Sequence, residues 1–205
     1  MHILLLGSTG RVGSHILKLA VEDEHEVTVL VRSKERLEIK EGITIVEGDV
    51  RDASKLDEAA SKADVIVSAL STDKATTLSE STPLIIDTMK KHAIKRIVTV
   101  GTAGILNSRT SPKLFRYESP ESKRKITRAA EEHRSVYEVL QESNVDWTIV
   151  CPTYLPDGEA VGNYRTEEDV LPEDGKKISV GDTANFVYHE LLNGHHLHKR
   201  VGIAY

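Results

Sequence analysis

Three glycines, Gly7, Gly10 and Gly13, close the short apolar run Ile3-Leu4-Leu5-Leu6 and open a segment whose apolar residues recur at helical spacing. The loop reads Gly7-Ser8-Thr9-Gly10-Arg11-Val12-Gly13, a GxxGxxG spacing. A strand that runs through such a loop into a helix is the setting in which glycines bind a dinucleotide. The first glycine permits the tight turn out of the strand. The second, lacking a Cβ, lets backbone approach a pyrophosphate, and the third lets helix and strand pack closely. The helix N-terminus then offers free N–H groups and the positive end of a dipole to the phosphates. Glycines punctuate many turns, so the triplet carries weight because strand, loop and helix coincide.

A second run, Val27 to Val31, is followed by Arg32-Ser33. A site for NAD places an acid there to accept from the ribose hydroxyls. Arg32 instead offers a guanidinium that can grip a 2′-phosphate bidentately, with the Ser33 hydroxyl beside it and Lys34 and Arg36 adding charge nearby. NADP(H) is therefore the expected cofactor, with NAD(H) weaker. Gly48-Asp49-Val50 follows a third run; Asp49 is expected to meet the adenine amino group and Val50 the ring, a plain Gly-Asp turn being the alternative. Ser68-Ala69-Leu70-Ser71 ends a fourth run, and its small residues let the chain approach the pyrophosphate and ribose.

Acid–base residues are harder to find. A tyrosine with a lysine four residues on places both on one helix face, where the ammonium lowers the phenol pKa. Tyr117 is followed at that distance by Glu121 and Tyr137 by Gln141, while Lys123 is six beyond Tyr117, on the wrong face of a helix. Ordinary carbonyl–alcohol chemistry is thus disfavoured. His195, His196 and His198 have no carboxylate or cysteine pattern around them and read as a solvated turn, so no metal is expected. His133 lies on an apolar helix stripe and reads as core. Cys151 reads as a buried, inert thiol.

The elements that must carry these residues alternate. Strands are expected at Ile3 to Leu6, Val27 to Val31, Ile43 to Val46, Val65 to Val67, Ile97 to Val100 and Trp147 to Val150, with Ile178 to Val180 short and Val201 to Ile203 a last edge strand. Helical stripes run through Val12, Ile16, Leu19 and Ala20. A short helix carries Leu56, Ala59 and Ala60 behind an Asp52 cap, and another carries Leu84, Ile85, Thr88, Met89 and His92 with Pro83 in its first turn. The longest stripe is Ile126, Ala129, Ala130, His133, Val136, Tyr137 and Leu140; the last is Ala184, Val187, Tyr188 and Leu191, capped by Asp182 and ended by Gly194. The run Lys123 to Lys125 is expected on a solvated helix face. This alternation predicts one α/β domain, Rossmann-type and doubly wound, with a mostly parallel sheet over residues 1–205 and small C-terminal elements on the substrate side. The loops 103–120 and 152–177 are expected to form that side. Their aromatics Phe115, Tyr117, Tyr154 and Tyr164, with Leu106, Leu114 and Leu155, are expected to wall a pocket for a flat acceptor, loop anchoring being the alternative.

Bulk properties narrow the classes. The formal net charge of −5 over 205 residues disfavours nucleic acid, which needs clustered basic residues. One cysteine allows no internal disulfide and fits a reducing compartment. No run approaches the ~20 apolar residues of a membrane helix, and the first apolar run is too short for a signal peptide, so a cytoplasmic protein is expected.

With Gly7 to Gly13 and Val31-Arg32-Ser33 stand Gly48 to Asp52, Val67 to Leu70, Ile97 to Ala103, Asp146 to Thr153 and Ile178 to Ala184. In that succession the chain resembles, over nearly its whole length, the atypical short-chain dehydrogenase/reductases with an NAD(P)H-binding domain. That group includes biliverdin-IXβ reductase/flavin reductase and bacterial NADH-flavin-reductase-like proteins. The resemblance implies that Thr102 stands beside the nicotinamide as the catalytic candidate, and that Pro152 and Thr153 form the turn against its amide. Cys151 departs from the basic residue that related chains often carry before that proline. The implied activity is NADPH-dependent hydride transfer to a planar acceptor such as a flavin or quinone, which takes its proton from water. The alternative is a non-catalytic NADP(H)-binding redox sensor. An epimerase would need the missing tyrosine–lysine pair.

Overall fold

The computed structural model describes residues 1–122 and 125–205. Eight strands form one sheet: β1 (His2–Leu6), β2 (Glu26–Val31), β3 (Thr44–Glu47), β4 (Val65–Ser68), β5 (Arg96–Val100), β6 (Asp146–Pro152), β7 (Arg165–Glu168) and β8 (Lys199–Ala204). Their order is β3-β2-β1-β4-β5-β6-β8-β7, parallel except for the antiparallel β7–β8 pair. The helices are α1 (Arg11–Glu22), α2 (Ala53–Ala60), α3 (Thr77–Lys91), α4 (Arg128–Glu142) and α5 (Val180–Asn193). One buried cluster packs α2, α3 and α4 on one face of the sheet, and a second packs α1 and α5 on the other. This is the doubly wound architecture, and its strand order reverses between β1 and β4, the point at which such sheets bind ligands.

Strands buried on both faces read as continuous apolar runs, and β1, with every residue buried, is one. Asp52 caps α2 by accepting from the Ser54 and Lys55 N–H groups, and Gly194 ends α5 in the left-handed conformation. Other expectations are corrected. Pro83 lies inside α3, not in its first turn. The helix begins at Thr77 because buried Glu132 of α4 accepts from the Ser79 N–H at 3.1 Å and from its hydroxyl at 2.9 Å, capping the helix from outside. Pro83 itself is exposed. Leu17 is buried in α1 where Leu19 is only half-buried. Ile126 stands outside α4 and is 81% exposed. Lys125 is exposed in the bend before α4, and Lys123 lies outside the described residues.

The C-terminal third departs most. Ser179, not Asp182, caps α5 by accepting from the Asp182 N–H at 3.0 Å, so Ile178 to Val180 is no strand. β8 is an interior strand between β6 and β7. The edge is β7, inside the 152–177 segment, and all four of its residues are exposed. Arg109 to Glu167 and Lys199 to Glu168 cover this edge with charge.

At the opposite end of the sheet from the glycine loop, Glu190 is 3% exposed and accepts from Arg96 at 2.9 Å, from the His196 N–H at 2.9 Å and lies 2.8 Å from its ring nitrogen. Thr148 joins the same group. These bonds tie β5 and β6 to the end of α5. Truncating one partner of a buried pair strands the other charge without water. Glu190→Ala is expected to lose about 3 kcal/mol or more of unfolding free energy, read from urea denaturation, with cofactor affinity unchanged at that distance.

Candidate cofactor and acceptor site

The glycine loop is shaped by contacts that forbid side chains. A Cβ on Gly7 would lie 2.5 Å from the Ala69 carbonyl oxygen, and one on Gly13 would lie 2.1 Å from that of Gly7. Gly7 also has a φ of 84°, a region that favours glycine. Ala69 follows β4, and its N–H continues the ladder to Leu6 at 2.8 Å. The loops after β1 and β4 therefore touch at the switch point. Gly10 caps α1 with no side-chain bond, which leaves the first-turn N–H groups of Arg11, Val12 and Gly13 without a capping side chain, as an anion site requires. Ser8 is buried, and its hydroxyl has no partner among the described residues.

A cleft opens beside this loop, walled by Thr9, Gly10, Arg32, Asp49, Val50 and the Ala69-Leu70-Ser71 segment, among others. Residues expected at the pyrophosphate, ribose and adenine thus converge at the ends of β1 to β4. Several of their polar groups are already engaged. Arg32 pairs with Asp73 at 2.8 Å. The Ser33 hydroxyl donates to Glu35. Asp49 holds the Arg51 guanidinium through two bonds of 2.9 Å, and those bonds lower its carboxyl to about 2. The Arg11 guanidinium reaches across to the loop after β6, donating to the Leu155 carbonyl and to Asp157, both at 2.9 Å. Nothing in the local sequence foretells Asp73 or Asp157, which meet their partners from distant loops.

A cavity of about 420 Å³ lies beyond the ends of β5 and β6, a volume in the range of small-molecule sites. Thr102 and Thr153 line it with Tyr117, Tyr154, Ile126 and Lys176. Thr102 Oγ1 accepts from the Gly104 N–H at 3.4 Å, and its proton has no acceptor among the described residues. Pro152 is buried as the last residue of β6. The Tyr117 hydroxyl donates to Glu118 at 3.3 Å and accepts from Arg134 at 3.2 Å.

Two of the four expected aromatics do not line this cavity. Phe115 packs edge-on to Tyr137, with the Arg134 guanidinium 5.0 Å and that of Arg200 5.6 Å from its ring centre. It anchors its loop to the core. Tyr164 packs edge-on to Phe186 of α5, on the other face of the sheet. Leu106 is fully buried in the core. A residue read only as a helix cap has a larger part: buried Asp182 accepts from the Val161 and Gly162 N–H groups at 3.0 and 2.7 Å and from the Tyr205 hydroxyl at 2.5 Å. It pins the loop whose other end receives Arg11.

The cradle fits a dinucleotide. Two backbone approaches exclude a Cβ, a helix N-terminus is uncapped, and cations stand at the ribose end. No group of metal-ligating residues forms among the described residues, and none of their helices is long and apolar enough to cross a membrane.

The family model described as NAD(P)H-binding matches residues 7–193. An uncharacterised Bacillus subtilis protein, YwnB, is 26% identical over 98% of this chain and 96% of its own length. A Bacteroides thetaiotaomicron structure provisionally named an epimerase is 30% identical, with a TM-score of 0.85 over 100% of this chain and 96% of that one. A Streptococcus pneumoniae structure provisionally named an NADH-flavin reductase is 25% identical, with a TM-score of 0.84 over 100% of this chain and 99% of that one.

Cys151 sits at the end of β6 between the two loops, fully buried, and burial pushes its thiol up to about 12. Only the thiolate is nucleophilic. In the folded protein at pH 8, Cys151 is expected to resist Ellman's reagent and to react only after denaturation. Stoichiometric labelling of the native state would mean the strand end opens.

Proposed function

The chain belongs to the NAD(P)H-binding family, and on that premise we propose that it is an NADPH-dependent reductase that passes hydride to a flat, conjugated acceptor such as a flavin or quinone. The observation that carries this reading is the cavity at the ends of β5 and β6. Thr102 and Thr153 line it with Tyr117, Tyr154 and Ile126, and with the charged Arg116, Glu121 and Lys176, next to the cofactor cradle in strand order. When bound, the reduced nicotinamide supplies the hydride. The chain's own residues bind and orient: Gly7 to Gly13 the pyrophosphate, Arg32 the 2′-phosphate, Asp49 and Val50 the adenine, Thr102, Pro152 and Thr153 the nicotinamide end. Tyr154 and Ile126, 64% and 81% exposed, give the acceptor an apolar rim.

Proton delivery by the protein is not needed for such acceptors. The Tyr117 hydroxyl is bonded to Glu118 and Arg134, and Glu121, not a lysine, stands four residues beyond it, so the tyrosine–lysine pair is missing. This argues against the carbonyl and epimerase chemistry that the Bacteroides neighbour's name suggests, and the Streptococcus neighbour's name agrees with a flavin acceptor. A redox sensor would use the cradle alone and leave the cavity without a purpose. The mildly acidic composition and the single buried cysteine support a cytoplasmic protein whose partner is a small redox acceptor, not nucleic acid or a membrane.

NADPH is expected to bind at least about tenfold more tightly than NADH, since a charge-assisted contact contributes ~1.5–3 kcal/mol. Arg32→Asp is expected to reverse the order, and equal affinities by calorimetry before and after the change would refute the assignment. Mixing the protein with NADPH and FMN, menadione or dichlorophenolindophenol is expected to consume NADPH; binding without turnover of any of them would favour the sensor. Tyr154→Ala is expected to raise acceptor KM with little change in melting temperature. Phe115→Ala is expected to cost about 2 kcal/mol of stability, below the full value for a core aromatic because the ring is only half-buried.

A further inference from the structure

The ribose end of the cradle contains a contact between residues far apart in sequence. Arg32 leaves the end of β2, yet its guanidinium is held at 2.8 Å by Asp73, from the loop between β4 and α3. Both residues line the same cleft, and so does Arg36, which has no ion pair among the described residues. Asp73 and Lys74 have left-handed backbones, with φ values of 48° and 55°. Non-glycine residues adopt that conformation at a cost. The loop is held in it by the ion pair and by the Asp73 N–H, which donates to Ser71 Oγ at 3.3 Å.

A carboxylate and a phosphate claim the same fork of guanidinium N–H groups. Asp73 takes one nitrogen, Nη2, so Arg32 cannot offer both arms of its fork to a 2′-phosphate while Asp73 holds it, and the second anion would also be repelled by the first. The ribose hydroxyl of NADH is neutral and makes no such claim. We infer that Asp73 is the fold's own competitor for the 2′-phosphate: it occupies Arg32 when no phosphate is there, and it moderates the cofactor preference that Arg32 imposes. This rests on the reading of Arg32 as the 2′-phosphate grip.

The test is calorimetric binding of NADPH, NADH and 2′-AMP to Asp73→Asn, Arg32→Ala and the double variant. Asparagine keeps the shape of the side chain and tolerates the left-handed backbone; Asp73→Gly, which relieves that backbone, is the second variant. Removing an exposed ion pair is expected to tighten NADPH and 2′-AMP about three- to tenfold, with NADH within twofold. Arg32→Ala should weaken NADPH and 2′-AMP and abolish the gain in the double variant. If Arg32→Ala weakens NADPH but Asp73→Asn and Asp73→Gly leave it unchanged, or tighten NADH equally, the competitor is refuted and the Arg32 reading stands. If Arg32→Ala leaves the ratio of NADPH to NADH affinity unchanged, the Arg32 reading fails and the competitor falls with it.

Discussion

Two backbone approaches govern this molecule: Gly7 against the Ala69 carbonyl and Gly13 against Gly7. Each lies at a distance that no Cβ survives. Together they fix the exit of β1, the exit of β4 and the axis of α1 as one unit. Because the strand order reverses between β1 and β4, the chain leaves that contact for α1 on one face of the sheet and α3 on the other, and the gap beside the contact is the cradle. The uncapped start of α1 faces that gap. A capping side chain at position 10 would stabilise the helix by about 1 kcal/mol, but it would occupy the N–H groups that an anion needs. The loop thus forgoes local stability at the place where a ligand supplies it.

The charged rim follows a related logic. Arg32 with Asp73, Asp49 with Arg51 and Arg11 with Asp157 are each satisfied within the chain. Exposed pairs of this kind contribute only about 0–1 kcal/mol each, so exchanging one for a phosphate or an adenine contact costs little. They order the rim of the cradle and can be exchanged for ligand contacts at little cost. Arg11 has a further role, since its carbonyl and carboxylate partners belong to the loop after β6. Through it the pyrophosphate end and the acceptor end share one contact.

Where burial or close approach imposes a pattern, the sequence was readable. Six parallel strands, the Asp52 cap, the Gly194 stop and the glycine loop follow from apolar runs, capping chemistry and the demands of backbone space. What escaped reading depends on distant partners. β7 reads Arg-Thr-Glu-Glu, with no apolar alternation to mark it, because it adds to the edge through backbone bonds and surface charge alone. The start of α3 is capped by Glu132, 53 residues away, so no local signal precedes Thr77. Asp182 has the look of a cap, yet its bonds go to Val161, Gly162 and Tyr205. Asp73 finds Arg32 only because β4 and β2 flank β1.

The cavity beyond β5 and β6 shows why aromatic content alone does not say which rings line it. A loop over a sheet needs anchors before it can present a surface, and a large flat ring serves either purpose. What separates them here is the set of neighbours that each ring meets. Arg200, on interior strand β8, bonds Asn107 and the Ile105 carbonyl, and its guanidinium lies 4.4 Å from the Tyr137 ring centre. Phe115 joins that stack and is drawn inward, while its neighbour Tyr117 is left on the cavity side, ring against ring at 6.1 Å. Tyr164 is drawn in the same way by Phe186 and by the loop that Asp182 pins, which leaves Tyr154 outside. Each loop therefore contributes one ring to the core and one to the cavity. A cavity with its rings divided in this way has Tyr117 backed by Phe115 and Tyr154 left exposed in its lining.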